Sequence, residues 1–113
     1  MKIAIIGSRD FNDYGLLTET LEQLKPNITQ VISGAARGAD SLGEQWAKEN
    51  QIDTLIFPAN WGLYGKRAGF IRNEDIIKNC DCCIAFWDGK SKGTAHSISL
   101  CKKLNKLYEV VYV

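Results

Sequence analysis

The stretch Lys2-Ile3-Ala4-Ile5-Ile6-Gly7-Ser8-Arg9-Asp10-Phe11 reads as a strand running out into a glycine turn. Ile3 to Ile6 is an unbroken apolar run with no polar alternation, the pattern of a strand covered on both faces. Asn12 or Asp13 can cap a helix behind the turn. In that helix Tyr14, Leu17, Leu21 and Leu24 recur at helical spacing as one apolar stripe, and Pro26 stops it.

The rest of the chain repeats this unit. Strand-like runs occupy 29–33 (TQVIS), 53–57 (DTLIF, ended by Pro58), 81–87 (DCCIAFW) and 108–113. Helical patterns lie between them at about 39–50, with Leu42 and Trp46 on one face, and at about 66–79 and 94–105. A βαβαβαβαβ order with short connections predicts one α/β domain over residues 1–113, a five-stranded parallel sheet with helices on both faces. The expected strand order is 3-2-1-4-5. Its switch point falls between the first and fourth strands, so the loops at Gly7 and Asp88 should flank a ligand crevice.

Composition sets bounds on function. The 113 residues are 45% hydrophobic and 24% charged, as in ordinary globular domains. Lys and Arg number 14 against 13 Asp and Glu, a formal net charge of +1. That near-neutral balance speaks against nucleic acid as a partner, because backbone binding rests on neutralising several phosphates. No stretch reads as a secretory signal and no apolar run approaches membrane-spanning length, so the expected location is the cytoplasm, with no membrane partner. Cys80, Cys82, Cys83 and Cys101 fit neither a disulfide framework nor paired zinc spacing and read as small buried hydrophobes. A metal site from Cys80, Cys82 and His96 is rejected, and no cofactor is expected.

Four glycine-punctuated loops follow the strands. In the first, Gly7 permits a tight turn, Ser8 and Arg9 can bond a phosphate or sugar oxygen, and Phe11 either stacks on a base or plugs the helix base. In the second, Ser33-Gly34-Ala35-Ala36-Arg37-Gly38-Ala39-Asp40, two glycines bracket small residues and should let the main chain approach an anion at a helix start. Arg37 would neutralise that anion, and Asp40 would cap the helix or bind a ribose. The G-x-x-x-x-G-K-[ST] phosphate loop is absent.

In the third loop, Asn60, Trp61 and Tyr64 offer amide groups and ring faces, as a wall for a base or as a subunit contact. Beyond it, Lys66, Phe70, Asn73 and Ile77 form a predicted inward stripe, with Arg72 beside Asn73 as a polar pair facing the crevice or as a structural pair. The fourth loop joins Trp87 and Asp88 to Lys92, Gly93 and Thr94 at a helix start, where Thr94 caps the helix or meets a phosphate. His96, the single histidine, lies in the first helical turn and should be neutral.

Taken in order, GSRDF, SGAARGAD, FPANWGLYGKRAGFIRNEDI and AFWDGKSKGTAHSI resemble the SLOG superfamily, the Rossmann-like group that includes the Lonely Guy and DprA proteins, and within it the YspA/YpsA-like branch. The resemblance covers essentially the whole chain. It implies a nucleotide-derived small molecule, related to ADP-ribose or a cyclic nucleotide, bound at the loop edge, often in a homo-oligomer. Related domains act as sensors in antiviral signalling, so a sensor or a signal-sequestering protein is expected. In the implied mechanism Arg37 and the Gly34–Gly38 loop hold phosphate. Arg9, Lys92 and Thr94 contact a second phosphate or ribose, and Trp61, Tyr64 or Trp87 stacks on the base.

Two departures from the family pattern stand out. The branch commonly carries Gly-Gly where this chain has Gly34-Ala35. Lonely Guy phosphoribohydrolases use an arginine in an Arg-Lys pair, which Arg72-Asn73 resembles, and a glutamate just after their Gly-Gly-x-Gly-Thr loop. Here Ala95, His96 and Ser97 follow Gly93-Thr94. An oxocarbenium-like transition state wants a nearby negative charge. Its absence from that turn favours binding without glycosidic cleavage, unless Asp88 or Glu74 substitutes. In the enzymatic alternative, a nucleoside monophosphate N-glycosidase, Arg72 orients the phosphate and Asp88 stabilises the sugar cation.

Overall fold

Residue parity along the first strand decides the layering. A computed structural model describes all residues, Met1–Val113. In β1 (Lys2–Gly7) Ile3 and Ile5 point to one side of the sheet, and Ala4 and Ile6 to the other. On the first side they meet Leu17 and Leu21 of α1 (Tyr14–Glu22) and Trp46 and Ala47 of α2 (Ala39–Glu49). On the second they meet Ile76 and Ile77 of α4 (Ala68–Asn79) and Ile98 and Cys101 of α5 (Lys92–Lys103). A strand enclosed in this way has no solvent face to mark with polar residues, which is why its apolar run is continuous.

β2 (Gln30–Ser33), β3 (Asp53–Ile56), β4 (Cys82–Trp87) and β5 (Leu107–Tyr112) complete a parallel sheet of order β3-β2-β1-β4-β5. Both sheet edges are solvent-facing, and β5 leaves Leu107 and Tyr112 exposed. Cys80, Cys83 and Cys101 pack in the second core layer, where burial pushes the Cys80 thiol up to about 11. No helix is long and apolar enough to cross a membrane.

Two elements differ from expectation. α1 ends at Glu22, before Pro26, which instead sits in a 3-10 turn at Lys25–Asn27. The third helical region is not one helix. A short α3 (Trp61–Tyr64) and a 3-10 turn (Gly65–Arg67) precede α4, and the tighter turn resets the helical phase. Of the predicted stripe, Asn73 and Ile77 face inward with Ala68 and Ile76, whereas Lys66, in the 3-10 turn, and Phe70 are exposed.

Candidate ligand site

At the carboxyl edge, where β1 and β4 send their loops apart, lies a cavity of about 360 Å³. Ser8 ties its two banks together. Its N–H donates to the Phe86 carbonyl (2.9 Å), and its Oγ accepts the Asp88 N–H (3.0 Å). The Ser8 carbonyl presses against Gly38, whose φ of +76° and lack of a side chain that contact requires. The first loop is thereby packed onto the N-terminus of α2.

The second loop is organised around Asp40. Its buried carboxylate accepts the N–H groups of Gly34 (3.1 Å) and Ala36 (3.3 Å) through one oxygen. This corrects the sequence expectation: the main-chain donors read as a phosphate cradle are satisfied by a carboxylate of the same chain. Nor does Asp40 cap α2, because Gly38 occupies that position without a side-chain bond. Burial raises the Asp40 pKa to about 6 against the opposing pull of the Ala36 N–H, Arg72 and the Gly34 N–H, with Glu44 adding to the rise. Ser33 turns beneath the loop, its hydroxyl donating to Glu44 at 2.7 Å.

Arg72 reaches in from α4. Its Nη1 donates to the Gly34 carbonyl (2.6 Å) and its Nε to Asn73 Oδ1 (3.0 Å), leaving Nη2 without a partner. A side chain at Gly34 would run into this guanidinium and into Asp40. Burial lowers the Arg72 pKa, Asp40 partly restores it, and nearby Arg9 lowers it again. Asn73 uses its amide N–H₂ toward the Gly93 carbonyl (3.3 Å) and His96 Nδ1 (3.4 Å), pinning α4 to the start of α5. His96 Nδ1 faces a donor, so its proton belongs on Nε2, and burial lowers its pKa in the same sense.

On the far bank Ser91 caps α5, accepting from the Thr94 N–H at 3.5 Å. Thr94 is buried with its hydroxyl 3.2 Å from that of Ser91. Asp88 Oδ1 accepts the N–H groups of Lys90 and Ser91, both at 2.8 Å, which holds the carboxylate ionised below its usual range. A second cavity of about 320 Å³ adjoins the first and is lined by Pro58, Ala59 and Trp61 together with the second loop and Arg37. Arg9, Ala36 and Arg72 line both. The one ion pair of the chain joins Lys78 to Glu74 along α4, so Arg9 and Arg72, at both cavities, and Arg37, at the second, have no salt-bridged carboxylate.

Residues 1–64 match the family described as YAcAr, the YspA, cpYpsA-related SLOG family. The chain belongs to that SLOG family. Gene 61 protein of Mycobacterium phage D29 is 31% identical over 112 residues, covering 90% of this chain and 89% of that protein. Among solved structures, DNA processing protein A from Helicobacter pylori, described for its single-stranded DNA binding mode, superposes with a TM-score of 0.74 at 25% identity. The match covers 97% of this chain and 64% of that one, so the SLOG chain spans somewhat less than two thirds of that neighbour. This neighbour overturns the expectation drawn from net charge. A protein of the same fold binds single-stranded DNA, and a total of +1 says nothing of how charge is placed.

Of the residues singled out in this SLOG sequence, Gly7, Ser8, Arg9, Asp40, Arg72, Asn73, Asp88, Gly93 and Thr94 line the first cavity, and Gly34, Ala35, Arg37 and Trp61 the second. Others go elsewhere. Phe11 is buried and stacked on Phe86 at 4.8 Å, so it plugs the helix base. Trp87 packs toward β5, 5.8 Å from the Tyr112 ring, with its Nε1–H on the Ser91 carbonyl, and lines a separate groove. Asn60 caps α3 through Leu63 N–H (3.1 Å). Tyr64, Lys92 and His96 line neither cavity; His96 lies against the edge of Phe70.

Sequence reading missed Asp10, Ala36, Ser91 and Ser97 in the first cavity and Pro58 and Ala59 in the second. The Ser91-x-x-Thr94 spacing is a legible cap signal. Ser97 carried none, since a lone serine inside a helix has no distinguishing pattern.

Proposed function

We propose that this SLOG protein binds a nucleotide-derived small molecule in the paired cavities at the carboxyl edge of its sheet, acting as a sensor or as a sequestering protein. The observation that carries this reading is the convergence of Arg9, Arg37 and Arg72 with no ion-paired carboxylate. All three line the second cavity, whose wall carries no acidic residue, whereas Asp10, Asp40 and Asp88 line the first, and guanidinium groups so placed are complementary to phosphate. Serine and threonine hydroxyls and the Asn73 amide beside them suit a sugar, and the exposed ring of Trp61 suits a base. Asp88 is committed through Oδ1 to its own turn, which favours binding over stabilising a sugar cation.

A thermal-shift panel of AMP, ADP, ADP-ribose, NAD and cyclic dinucleotides tests this, with chromatography of each mixture afterwards. A ligand at a hundredfold over its Kd stabilises by about 2.7 kcal/mol. Ligand recovered intact is the expected result, and released free base would make the protein an N-glycosidase instead. Likeness to DNA processing protein A favours a second reading, binding of single-stranded nucleic acid through the same arginines. Anisotropy of a labelled oligothymidylate at low salt separates the two, since that reading requires a rise that salt abolishes.

A further inference from the structure

The two edges of the sheet are built differently. β3, at one end, is blunted: it has four residues, starts on exposed Asp53 and Thr54, and is soon followed by Pro58. β5, at the other, has six residues, no proline and a single charge, Glu109. The Val113 N–H donates to the Trp87 carbonyl at 2.9 Å, so it points toward β4. Successive residues of a strand turn their N–H and C=O groups to alternate sides. Those of Tyr108, Val110 and Tyr112 therefore face away from β4, where no strand receives them.

The same three residues turn their side chains to the α5 side, where Val110 packs on the second core layer. With Trp87, Ile98 and Lys102 they line a groove of about 270 Å³ between β5 and α5. Its aromatic wall is open: Tyr112 is 71% exposed, with its ring 5.8 Å from that of Trp87. No acidic residue lines this groove. Lys102 is exposed and has no salt-bridged carboxylate, and Glu109 lies on the opposite face of the strand with Val111.

We propose that β5 is a docking edge for an extended acidic peptide of a partner protein, which joins the sheet as a further strand. The peptide main chain bonds the outward N–H and C=O groups of Tyr108, Val110 and Tyr112. Its alternate apolar side chains lie in the groove against Trp87 and Tyr112, and an Asp or Glu meets Lys102. Charge decides against a second copy as the occupant. Antiparallel pairing of β5 with itself keeps both α5 helices on one face, so both Lys102 side chains stand on the groove side and both Glu109 side chains on the other. None of the six groove residues lines either cavity at the switch point, so the docking edge does not depend on the ligand bound there.

Selection of displayed random heptapeptides on the full chain tests the proposal, with Val110→Pro and Lys102→Glu in parallel. The wild type should enrich peptides that carry apolar residues at alternate positions together with Asp or Glu. Val110→Pro removes one outward N–H and no bond to β4, and should weaken the most enriched peptide about tenfold. Lys102→Glu, at an exposed position, should weaken it about fivefold, turn the enriched set toward Lys and Arg, and leave the melting temperature unchanged. Amide exchange read by NMR completes the test: saturating peptide should slow exchange at Tyr108, Val110 and Tyr112. No enrichment on the wild type, an affinity indifferent to Lys102→Glu, or a bound peptide that leaves those three amides unprotected overturns the proposal. Protection of the same amides without peptide, in a protein that sediments as a dimer, assigns the edge to a second copy and overturns it equally. Lys102→Glu and amide exchange decide the matter even where Val110→Pro fails to fold.

Discussion

Arg72 Nη1 donates to the carbonyl oxygen of Gly34 at 2.6 Å, across 38 positions of sequence. This bond fastens α4, on one face of the sheet, to the loop that starts α2 on the other. The Gly34 N–H is meanwhile held by Asp40, so both polar groups of one glycine are committed to charged side chains.

Arg72→Ala should therefore cost stability as well as ligand affinity. Losing the bonds to Gly34 and Asn73 leaves a part-buried carbonyl unpaired, worth about 1–3 kcal/mol. Urea denaturation at pH 7 should show a lowered midpoint with an unchanged slope. An unaltered midpoint would mean that water replaces the guanidinium at no cost.

Asp40 sets a pH dependence. Its pKa is about 6 in the folded chain against an ordinary value of 3.8. Between about pH 4 and 6 the unfolded chain has released this proton while the folded chain keeps it, so stability falls as pH rises through that window. The loss is about 3 kcal/mol and is complete above pH 6, where both states are ionised. Asp40→Asn should remove this component. The difference in unfolding free energy between wild type and variant should change by that amount from pH 4 to 7, and a constant difference would place the carboxylate in contact with water.

Arg37→Ala isolates binding from folding. Arg37 is exposed and forms no ion pair, so its removal should leave the unfolding midpoint within about 0.5 kcal/mol of wild type. Loss of a charge-assisted contact of about 1.5–3 kcal/mol should weaken nucleotide affinity ten- to a hundredfold. Unchanged affinity with a lowered melting temperature would make Arg37 structural.

Ala35 adopts φ +59°, a left-handed conformation that costs a side-chain-bearing residue about 1–2 kcal/mol. Ala35→Gly relieves that strain but gains about 0.4–1 kcal/mol of unfolded-chain freedom. The net expectation is a stability rise of about 0.5 kcal/mol, read by denaturant titration. A fall would show that the methyl group packs usefully at the rim of the second cavity.

The sheet order and the edge that carries the loops were legible because strands covered on both faces leave unbroken apolar runs and the turns between them carry glycine. Trp87 was also legible in principle. It shares parity with Cys83 and Ala85, which pack on the α5 side, and since β4 lies next to the edge strand β5 its ring leans on Tyr112 rather than into the crevice between β1 and β4. The inward Asn73 and Ile77 of α4 were legible from their spacing, but Lys66 was not, since nothing in the sequence marks the 3-10 turn at Gly65–Arg67 that holds it outside the helix. Asp40 is the plainest limit. A carboxylate six residues past Gly34 reads as a helix-start acid, and only the curl of the intervening loop turns it back onto Gly34 and Ala36.

That curl has an evolutionary consequence. A loop whose amide hydrogens are answered by its own side chain has no appetite for an outside anion, and one codon governs the difference. Replacement of Asp40 by a small neutral residue would leave Ile3, Ile5 and Trp46 carrying the fold and expose two inward-facing donors beside Arg72. Position 40 thus decides, through one side chain and apart from the scaffold, whether these amide hydrogens are answered from within the chain.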